Sequence, residues 1–431
     1  MLQTLFHIPL HLAGLPVFGF GWLLILWAIV SLLLIGSAVR RQGWGAEAKG
    51  QLPLLGMIGL VIAFVLPQLC DEYGLPIRGY GVMLLLGVIS GVGLAAYRAR
   101  RLGLDPEMIV SLAFWLFLAG IAGARLFYIV EYWPQFQRST WLETAQELIN
   151  FTKGGLVVFG AAIGAGLALA AFVHKHRVPG LALADLISPS VMLGLALGRV
   201  GCFLNGCCFG GECELPWKVQ FPFASPPHVQ QVEQRKLYLH GLEFSYGRPK
   251  SPPIIAAVQP GSAAERAGLA AGQRIVAIKN KRGERVAVAT TDEAERELFS
   301  VSGAGARLEI YTSGDRSPKV VVLSAPQTSL PVHPAQLYSA IDALLLCLFL
   351  LAYYPYRRRD GEVFALMVTI HPTARFLQEI IRTDESAVFG TGLSISQNIS
   401  LLMLVGAAGL WLYLTRLPRR LVWPLHAAAS P

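Results

Sequence analysis

Three arginines, Arg125, Arg199 and Arg375, lie inside stretches so apolar that each stretch is predicted to cross a membrane. A guanidinium at bilayer depth costs about 3 kcal/mol or more, and such residues are usually functional and paired. Arginine also binds phosphate through a planar fork of hydrogen-bond donors. The partner of these arginines is therefore expected to be an anion held at the same depth.

Further polar residues lie near the same ends of the predicted helices. In one helix His371, Arg375, Glu379 and Arg382 are spaced four, four and three residues apart, which places them on one face. Other helices contribute Tyr80, Asn205, His333, Gln336, Gln397 and Asn398. A pocket of this composition predicts a phospholipid headgroup as the bound anion. For any single arginine, the alternative of an interfacial charge that reaches toward the headgroups stays open.

The composition is that of a polytopic membrane protein. Of the 431 residues 54% are hydrophobic and only 15% are charged, and the mean hydropathy is +0.51. A helix needs about 20 apolar residues to cross the hydrocarbon core. About nine runs qualify, at roughly residues 17–38, 53–69, 77–97, 108–130, 155–174, 181–204, 334–354, 361–381 and 393–415. The first run lacks a basic start and is too long for a signal-peptide core, so it is predicted to be a retained helix.

Basic residues alternate between the short loops. Every second loop is basic, with Arg40, Arg41 and Lys49, then Arg98, Arg100 and Arg101, then Lys175 and Arg177, then Arg357, Arg358 and Arg359, and finally Arg416, Arg419 and Arg420. The other short loops hold only Arg78, Arg138, Lys153 and Arg382. The positive-inside rule predicts an outer N-terminus, an inner C-terminus and a polar pocket toward the outer leaflet. The net charge of +9 is thus mostly a topology signal, and no nucleic-acid partner is expected.

The composition changes between the sixth and seventh predicted spans. Residues from about 250 to 326 are charged, and strand-like alternation occurs at 307–311 and 319–323. The stretch 254–278 resembles a PDZ domain of the bacterial envelope-protease type, with 290–301 as its second helix. A groove between that helix and an edge strand can bind a peptide by strand addition. The alternative is a PDZ-like spacer without a ligand, and topology predicts a periplasmic location in either case.

The predicted fold is an all-α polytopic membrane protein with a small inserted α+β domain. We divide the chain into two extra N-terminal helices (1–70), a first part of the membrane core (71–225), a periplasmic insertion (226–330) and a last part with three helices and a cytoplasmic tail (331–431). The PDZ-like domain occupies about 250–326 of the insertion. No cofactor and no metal is predicted.

One segment carries a family resemblance. Gly198-Arg-Val-Gly-Cys-Phe-Leu-Asn-Gly-Cys-Cys-Phe-Gly210 resembles the signature of the prolipoprotein diacylglyceryl transferase family, usually written G-R-x-G-N-F-x-N-G-E-x-x-G. Supporting segments follow in the family's order at 77–81, 123–128, 154–160, 333–338 and 375–379. The resemblance covers roughly residues 75–225 and 325–415.

The resemblance implies an enzyme of the bacterial inner membrane that moves the diacylglyceryl group of phosphatidylglycerol onto the lipobox cysteine of a prolipoprotein. Phosphatidylglycerol and prolipoprotein signal peptides are then the partners, with a peptide ligand of the PDZ-like domain as a further candidate. Arg199 and Arg375 match the family's phosphate-binding arginines, and His333 and His371 are candidate bases. The residues expected to line the substrate site are Tyr80, Arg125, Asn205, Gly210, Gln336, Tyr338, Glu379 and Arg382.

Four positions depart from the family pattern. Phe159 stands where the family usually has His or Tyr, Cys202 and Cys207 stand for Asn and Glu, and Ser339 stands where a Glu often follows. A catalytically silent relative that binds phospholipid or lipoprotein is therefore the alternative function. An intramembrane metalloprotease is disfavoured because the sequence has no His-Glu-x-x-His motif.

Four cysteines, Cys202, Cys207, Cys208 and Cys213, follow one another closely at the predicted outer end of the sixth span. Their spacing fits a tetrahedral zinc site poorly, because two are adjacent and no histidine is near. A disulfide that involves Cys213 is favoured over a metal site in an oxidising compartment. The preferred interpretation is that Cys202 and Cys207 are small packing residues in a glycine-lined helix.

Overall fold

The computed structural model describes residues 3–42, 55–71, 73–137, 140–149, 157–245, 251–279, 283–301, 303, 305–314, 317–323, 328–382, 387–388 and 390–423. The chain forms two compact units. One comprises Met1–Met83 with Leu204–Gly206, and the other comprises Leu84–Phe203 with Cys207–Pro431. Most of the described residues are helical.

The helices that belong to the membrane region are α1 (Trp22–Gln42), α2 (Leu55–Leu69), α3 (Gly79–Arg101), α4 (Pro106–Glu131), α5 (Trp133–Phe136), α6 (Trp141–Ile149), α7 (Val158–His176), α8 (Gly180–Asn205), α12 (Ala335–Tyr353), α13 (Glu362–Glu379) and α14 (Ile395–Arg416). Five of them, α3, α4, α8, α12 and α14, are long and apolar enough to cross a membrane. The chain is therefore a multi-pass membrane protein.

The remaining four predicted spans are not among these five. The apolar stretches of α1 and α2 are shorter, at Trp22–Ser37 and Leu55–Leu69. The helix α13 carries His371, Arg375 and Glu379, which lower its hydropathy. Of the loop residues used for orientation, Lys49, Arg138 and Lys153 lie outside the described residues. Nine spans and an outer N-terminus thus stay predictions.

Within the first unit a short antiparallel sheet precedes α3. Strand β1 (Thr4–Ile8) pairs with β4 (Leu75–Arg78), and a small hairpin, β2 (His11–Leu12) and β3 (Leu15–Pro16), follows β1. The Nε2 atom of His7 lies 3.1 Å from the Asp71 carboxylate. The side chain of Gln3 donates to the Asn205 carbonyl at 3.2 Å. The start of the chain is thereby tied to the end of α8.

Glycines allow two pairs of helices in the second unit to pack closely. A Cβ on Gly123 or Gly160 would overlap the backbone of the partner helix, so α4 and α7 touch at these positions. The helices α3 and α8 meet at Gly87 and Gly194, where a Cβ on Gly87 would lie 3.0 Å from the Gly194 carbonyl oxygen. Small residues permit this approach in a membrane, where packing rather than the hydrophobic effect holds helices together.

A buried carboxylate joins the first turns of α8 to the loop before α13. Asp185 is fully buried and accepts hydrogen bonds from the backbone N–H of Gly361 at 2.7 Å and of Phe364 at 2.8 Å. The Nε atom of Arg357 lies 3.8 Å from the same carboxylate, and both side chains are almost completely buried. This cluster holds the N-terminus of α13 against α8 and thereby sets the position of the α13 polar face.

Aromatic contacts extend the buried cluster. The guanidinium of Arg357 lies 3.6 Å from the centroid of the Tyr354 ring, and that of Arg98 lies 4.1 Å from it. Arg357 also donates to the Trp423 carbonyl at 2.6 Å, and Arg98 donates to the Leu186 carbonyl. Arg98 and Arg357, assigned above to cytoplasmic loops, are thus also packing residues that connect α3, α8, α12 and the C-terminal segment.

The insertion contains helices and strands around its own core. Its elements are α9 (Pro226–Glu233), β5 (Leu242–Phe244), β6 (Ile255–Val258), α10 (Ala263–Arg266), β7 (Ile275–Lys279), β8 (Arg285–Ala287), α11 (Thr291–Ser300), β9 (Arg307–Thr312) and β10 (Lys319–Val322). Four strands form a sheet in the order β10-β9-β7-β8, and β5 pairs with β6. One hydrophobic core includes residues from Val232 to Leu323, so α9 and β5 pack with the segment predicted to be PDZ-like.

The chain enters and leaves the insertion through two paired segments. The Val219 N–H donates to the Val332 carbonyl at 3.1 Å, and the Ser329 N–H donates to the Phe221 carbonyl at 2.8 Å. Phe209, Phe221 and Val332 form a small hydrophobic cluster beside this pair. The pairing connects the segment after α8 directly to the start of α12.

Acidic pH is expected to destabilise the insertion. His228 is fully buried, and neither ring nitrogen has a hydrogen-bond partner among the described residues. Burial, with a smaller contribution from His240, lowers the pKa of His228 from 6.5 to about 4. Burial also lowers the pKa of His240. Because the unfolded chain takes up a proton that the folded chain excludes, stability is complete above about pH 6.5 and falls as the pH drops toward about 4.

Thermal unfolding of the purified full-length protein between pH 7 and pH 4 measures this loss. The variant His228→Gln should lose less stability than the wild type over the same interval. Identical pH dependence of the two proteins would contradict the assignment.

Candidate active site

The polar face of α13 forms a connected set of charges. The Glu379 side chain is 3% exposed and forms ion pairs with Arg375, one turn earlier, and with Arg382, whose guanidinium lies 3.4 Å away. The predicted spacing of four and three residues thus brings these side chains together, as the helical period requires. Two arginines thus flank one buried carboxylate.

The first turn of α14 packs beside Arg375. The guanidinium donates to Ser396 Oγ at 2.9 Å. This turn is held by a capping box in which Ser394 and Gln397 bond to each other's backbone N–H groups. Asn398 donates to the Ser394 carbonyl at 3.0 Å. Gln397 and Asn398, which the sequence placed among the pocket residues, thus bond to the turn that begins α14.

Arg199 and His371 come together from α8 and α13. His371 lies within electrostatic range of both Arg199 and Arg375. Its Nδ1 atom is buried and has no hydrogen-bond partner in the part of the chain that the structure describes. Arg199 is partly buried. The charges of two arginines, one on α8 and one on α13, thus act on the same imidazole.

The signature segment folds back after α8 and bonds to both later helices. The Gly210 N–H donates to the His333 carbonyl at 2.9 Å, and the Gly211 N–H donates to the Ile381 carbonyl at 2.9 Å. The fully buried Gln336 donates through Nε2 to the Cys207 carbonyl at 2.7 Å. Gln336 therefore anchors the signature segment. From the sequence, Gln336 was predicted only to line the pocket.

His333 belongs to a hydrogen-bonded chain. Its Nδ1 lies 3.3 Å from the Tyr338 hydroxyl, which accepts a hydrogen bond from Trp217 Nε1 at 2.7 Å. Tyr338 was predicted as a site residue, whereas Trp217 was not, because it lies outside every family motif. The contact connects a residue before the insertion to one after it.

Arg125 has a different environment. Its Nε donates to the Leu148 carbonyl at 3.1 Å and its guanidinium donates to the Glu147 carbonyl at 2.9 Å, so it binds the C-terminal end of α6. It also lies over the ring of Phe136, 5.3 Å from the centroid. These contacts give Arg125 a role in positioning α6, whereas its predicted contact with substrate stays a prediction.

Two predicted site residues lie in the first compact unit. Tyr80 is in the first turn of α3 and is 40% exposed. Asn205 is the last residue of α8.

Comparison with known proteins identifies the family. Residues 65–413 match the profile described as prolipoprotein diacylglyceryl transferase. The chain belongs to this family. The match runs through the insertion, whereas the motifs quoted above lie on either side of it.

Similar relatives carry one name, phosphatidylglycerol–prolipoprotein diacylglyceryl transferase. That of Rhodopirellula baltica is 34% identical over 457 residues, which cover 94% of this chain and 88% of the relative. That of Trichormus variabilis is 36% identical over 168 residues, which cover 39% of this chain and 58% of the relative. That of Clostridium tetani is 34% identical over 181 residues, which cover 41% of this chain and 70% of the relative.

The positions that depart from the family pattern have specific surroundings. Ser339 is buried and donates to Gln378 Oε1 at 2.5 Å, which joins α12 to α13. Phe159 lies in the first turn of α7, but its side chain is outside the described residues. Ser339 therefore supplies a helix contact at the position where this family often has a carboxylate.

The cysteines correct one expectation. No disulfide joins any of the six cysteines, so Cys213, for which a disulfide was favoured over a metal site, is not bonded to another cysteine. Cys213 is buried, and its sulfur accepts a hydrogen bond from the Leu215 N–H at 3.4 Å. The sulfurs of Cys202, Cys207 and Cys208 instead lie within 4.8 Å of one another. The chain reversal after α8 brings them together.

Replacement of Gly210 by alanine should distort the signature segment. A Cβ at this position would lie 2.6 Å from the His333 Cβ and 3.3 Å from the Ile381 carbonyl oxygen. We expect a loss of about 1–3 kcal/mol of stability, the usual cost of overpacking, and a marked loss of activity. Thermal unfolding in detergent and lipid-transfer assays measure the two effects. Gly166→Ala is the control, because a Cβ there meets nothing within 4 Å; equal behaviour of both variants would refute the prediction.

Proposed function

We propose that this chain transfers the diacylglyceryl group of phosphatidylglycerol to the lipobox cysteine thiol of prolipoproteins. The thiolate sulfur attacks the glyceryl carbon that carries the phosphate ester, and a thioether bond forms as the carbon–oxygen bond breaks. Glycerol phosphate leaves with the bonding electron pair, and the thiol proton goes to a base. The family to which the chain belongs favours this function over a catalytically silent lipid-binding relative.

The observation that carries the proposal is the group of arginines at the polar face of α13. Arg375 and Arg382 both form ion pairs with Glu379, and Arg199 adds a charge within electrostatic range of His371. Negative charge develops on the phosphate monoester as it leaves, and cations already positioned beside it stabilise that charge. Arginine donors suit this purpose because their planar fork matches phosphate oxygens.

His371 is the base that this geometry favours. A thiol attacks well only as a thiolate, so the reaction needs a proton acceptor near the phosphate-binding residues. His371 lies near both Arg199 and Arg375, and its Nδ1 has no hydrogen-bond partner among the described residues. His333 instead shares a hydrogen bond with Tyr338. We assign proton acceptance to His371 and orientation of the Tyr338 hydroxyl to His333.

The decisive experiment uses purified protein in detergent with phosphatidylglycerol and a lipobox peptide. Mass spectrometry should detect the diacylglyceryl adduct of the peptide and released glycerol phosphate. His371→Gln should abolish most of the adduct, whereas His333→Gln should reduce it less. Retention of bound phosphatidylglycerol without any adduct from the wild type would establish the silent alternative.

We also propose that the phosphate-binding residues face the outer leaflet of the bacterial inner membrane. The distribution of basic residues over the short loops supports an outer N-terminus and an inner C-terminus. The insertion is then periplasmic. Single cysteines placed in the loops and labelled with a membrane-impermeant thiol reagent would test the orientation, and labelling of the basic loops in intact cells would contradict it.

The insertion is proposed to be a PDZ-like domain that recruits the protein substrate. The order of its strands, the four-stranded sheet and the capped helix α11 support this assignment. A groove between α11 and a neighbouring strand edge would take an extended peptide.

Removal of the insertion tests recruitment. The core begins with residues before 250, so excision of 250–326 alone would expose Leu239, Leu242 and Phe244. The better boundary joins Pro222 to Ser329 with a short glycine linker, because Phe221 and Ser329 are already hydrogen-bonded. Turnover of full-length prolipoprotein should fall by about tenfold more than turnover of a short lipobox peptide, a difference of about 1.4 kcal/mol. Equal effects on both substrates would exclude a recruiting role.

A further inference from the structure

Three thiols form a compact group at the end of α8. The sulfurs of Cys202, Cys207 and Cys208 lie within 4.8 Å of one another, and all three residues are partly buried. The Cys207 thiol donates a hydrogen bond to the Cys202 backbone carbonyl at 3.8 Å. Among the described residues no histidine, carboxylate or further cysteine joins this group as a fourth ligand. None of the three thiols has a part in the transfer reaction described above.

The backbone holds these thiols in place. Gly206 and Cys208 adopt left-handed conformations, with φ of 82° and 60°, and the chain therefore turns back on the end of α8. The Cys207 carbonyl accepts the Gln336 hydrogen bond at 2.7 Å. The Gly210 N–H is bonded to the His333 carbonyl two residues after Cys208. The group is thus fixed from both sides of the turn before any ligand binds.

We propose that Cys202, Cys207 and Cys208 form a three-coordinate site for a soft monovalent metal ion, Cu(I). Soft thiolate ligands select copper(I), zinc or iron–sulfur clusters. Structural zinc sites use four protein ligands in a tetrahedron, and the group supplies three. Three sulfurs at about 2.3 Å from a common ion, a typical metal–sulfur distance, would be about 4 Å apart, which fits within the 4.8 Å limit observed here.

The negative charge of an occupied site would be partly offset by an arginine one helical turn before Cys202. Three thiolates around Cu(I) would carry a net charge of minus two, and binding would displace the thiol protons. Arg199 lies three residues before Cys202 in α8, so the two residues share one helix face. Its guanidinium can offset part of that charge. The proposal does not depend on transferase activity, because binding is measured directly.

The test uses the full-length protein, purified in detergent and kept reduced without oxygen. Cu(I) is supplied as its bathocuproine disulfonate complex, and loss of the coloured complex measures transfer to the protein. We expect one equivalent of copper per chain, with three sulfur neighbours by X-ray absorption. Each of Cys202→Ser, Cys207→Ser and Cys208→Ser should abolish binding at a chelator concentration that the wild type withstands. Cys70→Ser and Cys213→Ser are the matched controls and should retain one equivalent.

If the serine variants fail to fold, a second measurement on the wild-type protein still tests the proposal. Bound Ag(I), a redox-inert substitute, should protect Cys202, Cys207 and Cys208 from alkylation and leave the alkylation of Cys70 unchanged. Copper binding that survives all three substitutions would overturn the proposal. So would preferential retention of Zn²⁺ over Ag(I), or a disulfide among the three thiols in protein isolated from the membrane.

Discussion

Arg199→Ala and Arg375→Ala should each lower diacylglyceryl transfer by about 10²–10³-fold, the usual cost of losing one preorganised electrostatic contact to a transition state. Both guanidinium groups lie near His371, and Arg375 is held by Glu379 and Ser396. Loss of either cation leaves the departing phosphate less stabilised. Initial rates with phosphatidylglycerol and a lipobox peptide measure the effect.

Lysine substitutions separate charge from geometry at these two positions. Lysine keeps the charge but lacks the planar fork, so Arg375→Lys should recover only part of the lost activity. Arg100→Ala, at an exposed position in the last turn of α3, is the control and should retain near-normal rates. Transfer rates within threefold of the wild type in both alanine variants would remove these residues from the mechanism.

Asp185→Ala should destabilise the membrane region by about 3–5 kcal/mol, the range measured when one partner of a buried ion pair is removed. The substitution leaves Arg357 without its carboxylate and leaves the N–H groups of Gly361 and Phe364 without their acceptor. Because these groups position the start of α13, activity should fall together with stability. Thermal unfolding in detergent measures the loss.

Two further variants serve as comparisons for Asp185→Ala. Asp185→Asn retains an acceptor oxygen and should lose less stability than the alanine variant. Glu214→Ala breaks an exposed ion pair with Lys218, in which the Glu214 side chain is 90% exposed, and should cost no more than about 1 kcal/mol. A similarly small effect of Asp185→Ala would show that the buried cluster does not hold the α13 start.

The polar face of α13 shows how far local sequence predicts the site. The spacing of Arg375, Glu379 and Arg382 predicted one helical face, and the structure confirms that Glu379 forms ion pairs with both arginines. The same reasoning could not pair this helix with Arg199, because helical periodicity carries no information about which distant helix packs against a face. Family motifs identified both arginines but described no contact between them.

Other residues show the limits of sequence interpretation. Arg125 was grouped with Arg199 and Arg375 because all three lie in apolar stretches of sequence. In the structure, however, Arg125 donates hydrogen bonds to the end of α6. Gln397 follows the helix-capping pattern Ser-x-x-Gln, and the structure shows that it caps α14. The spacing of the cysteines predicted no metal site, because it does not fit a tetrahedral zinc motif. In the structure, residues with left-handed backbone conformations turn the chain and bring three sulfurs together.

Sequence alone determined the membrane class, the amphipathic face of α13 and the family, because hydropathy, helical period and motifs are all properties of neighbouring residues. Tertiary structure alone decided that Arg199 and His371 converge, that Asp185 binds the start of α13, and that Trp217 bonds to Tyr338 across the insertion. These contacts join residues far apart in the chain. They depend on how helices pack through their glycines and on how the backbone turns after α8, and neither is encoded in local periodicity.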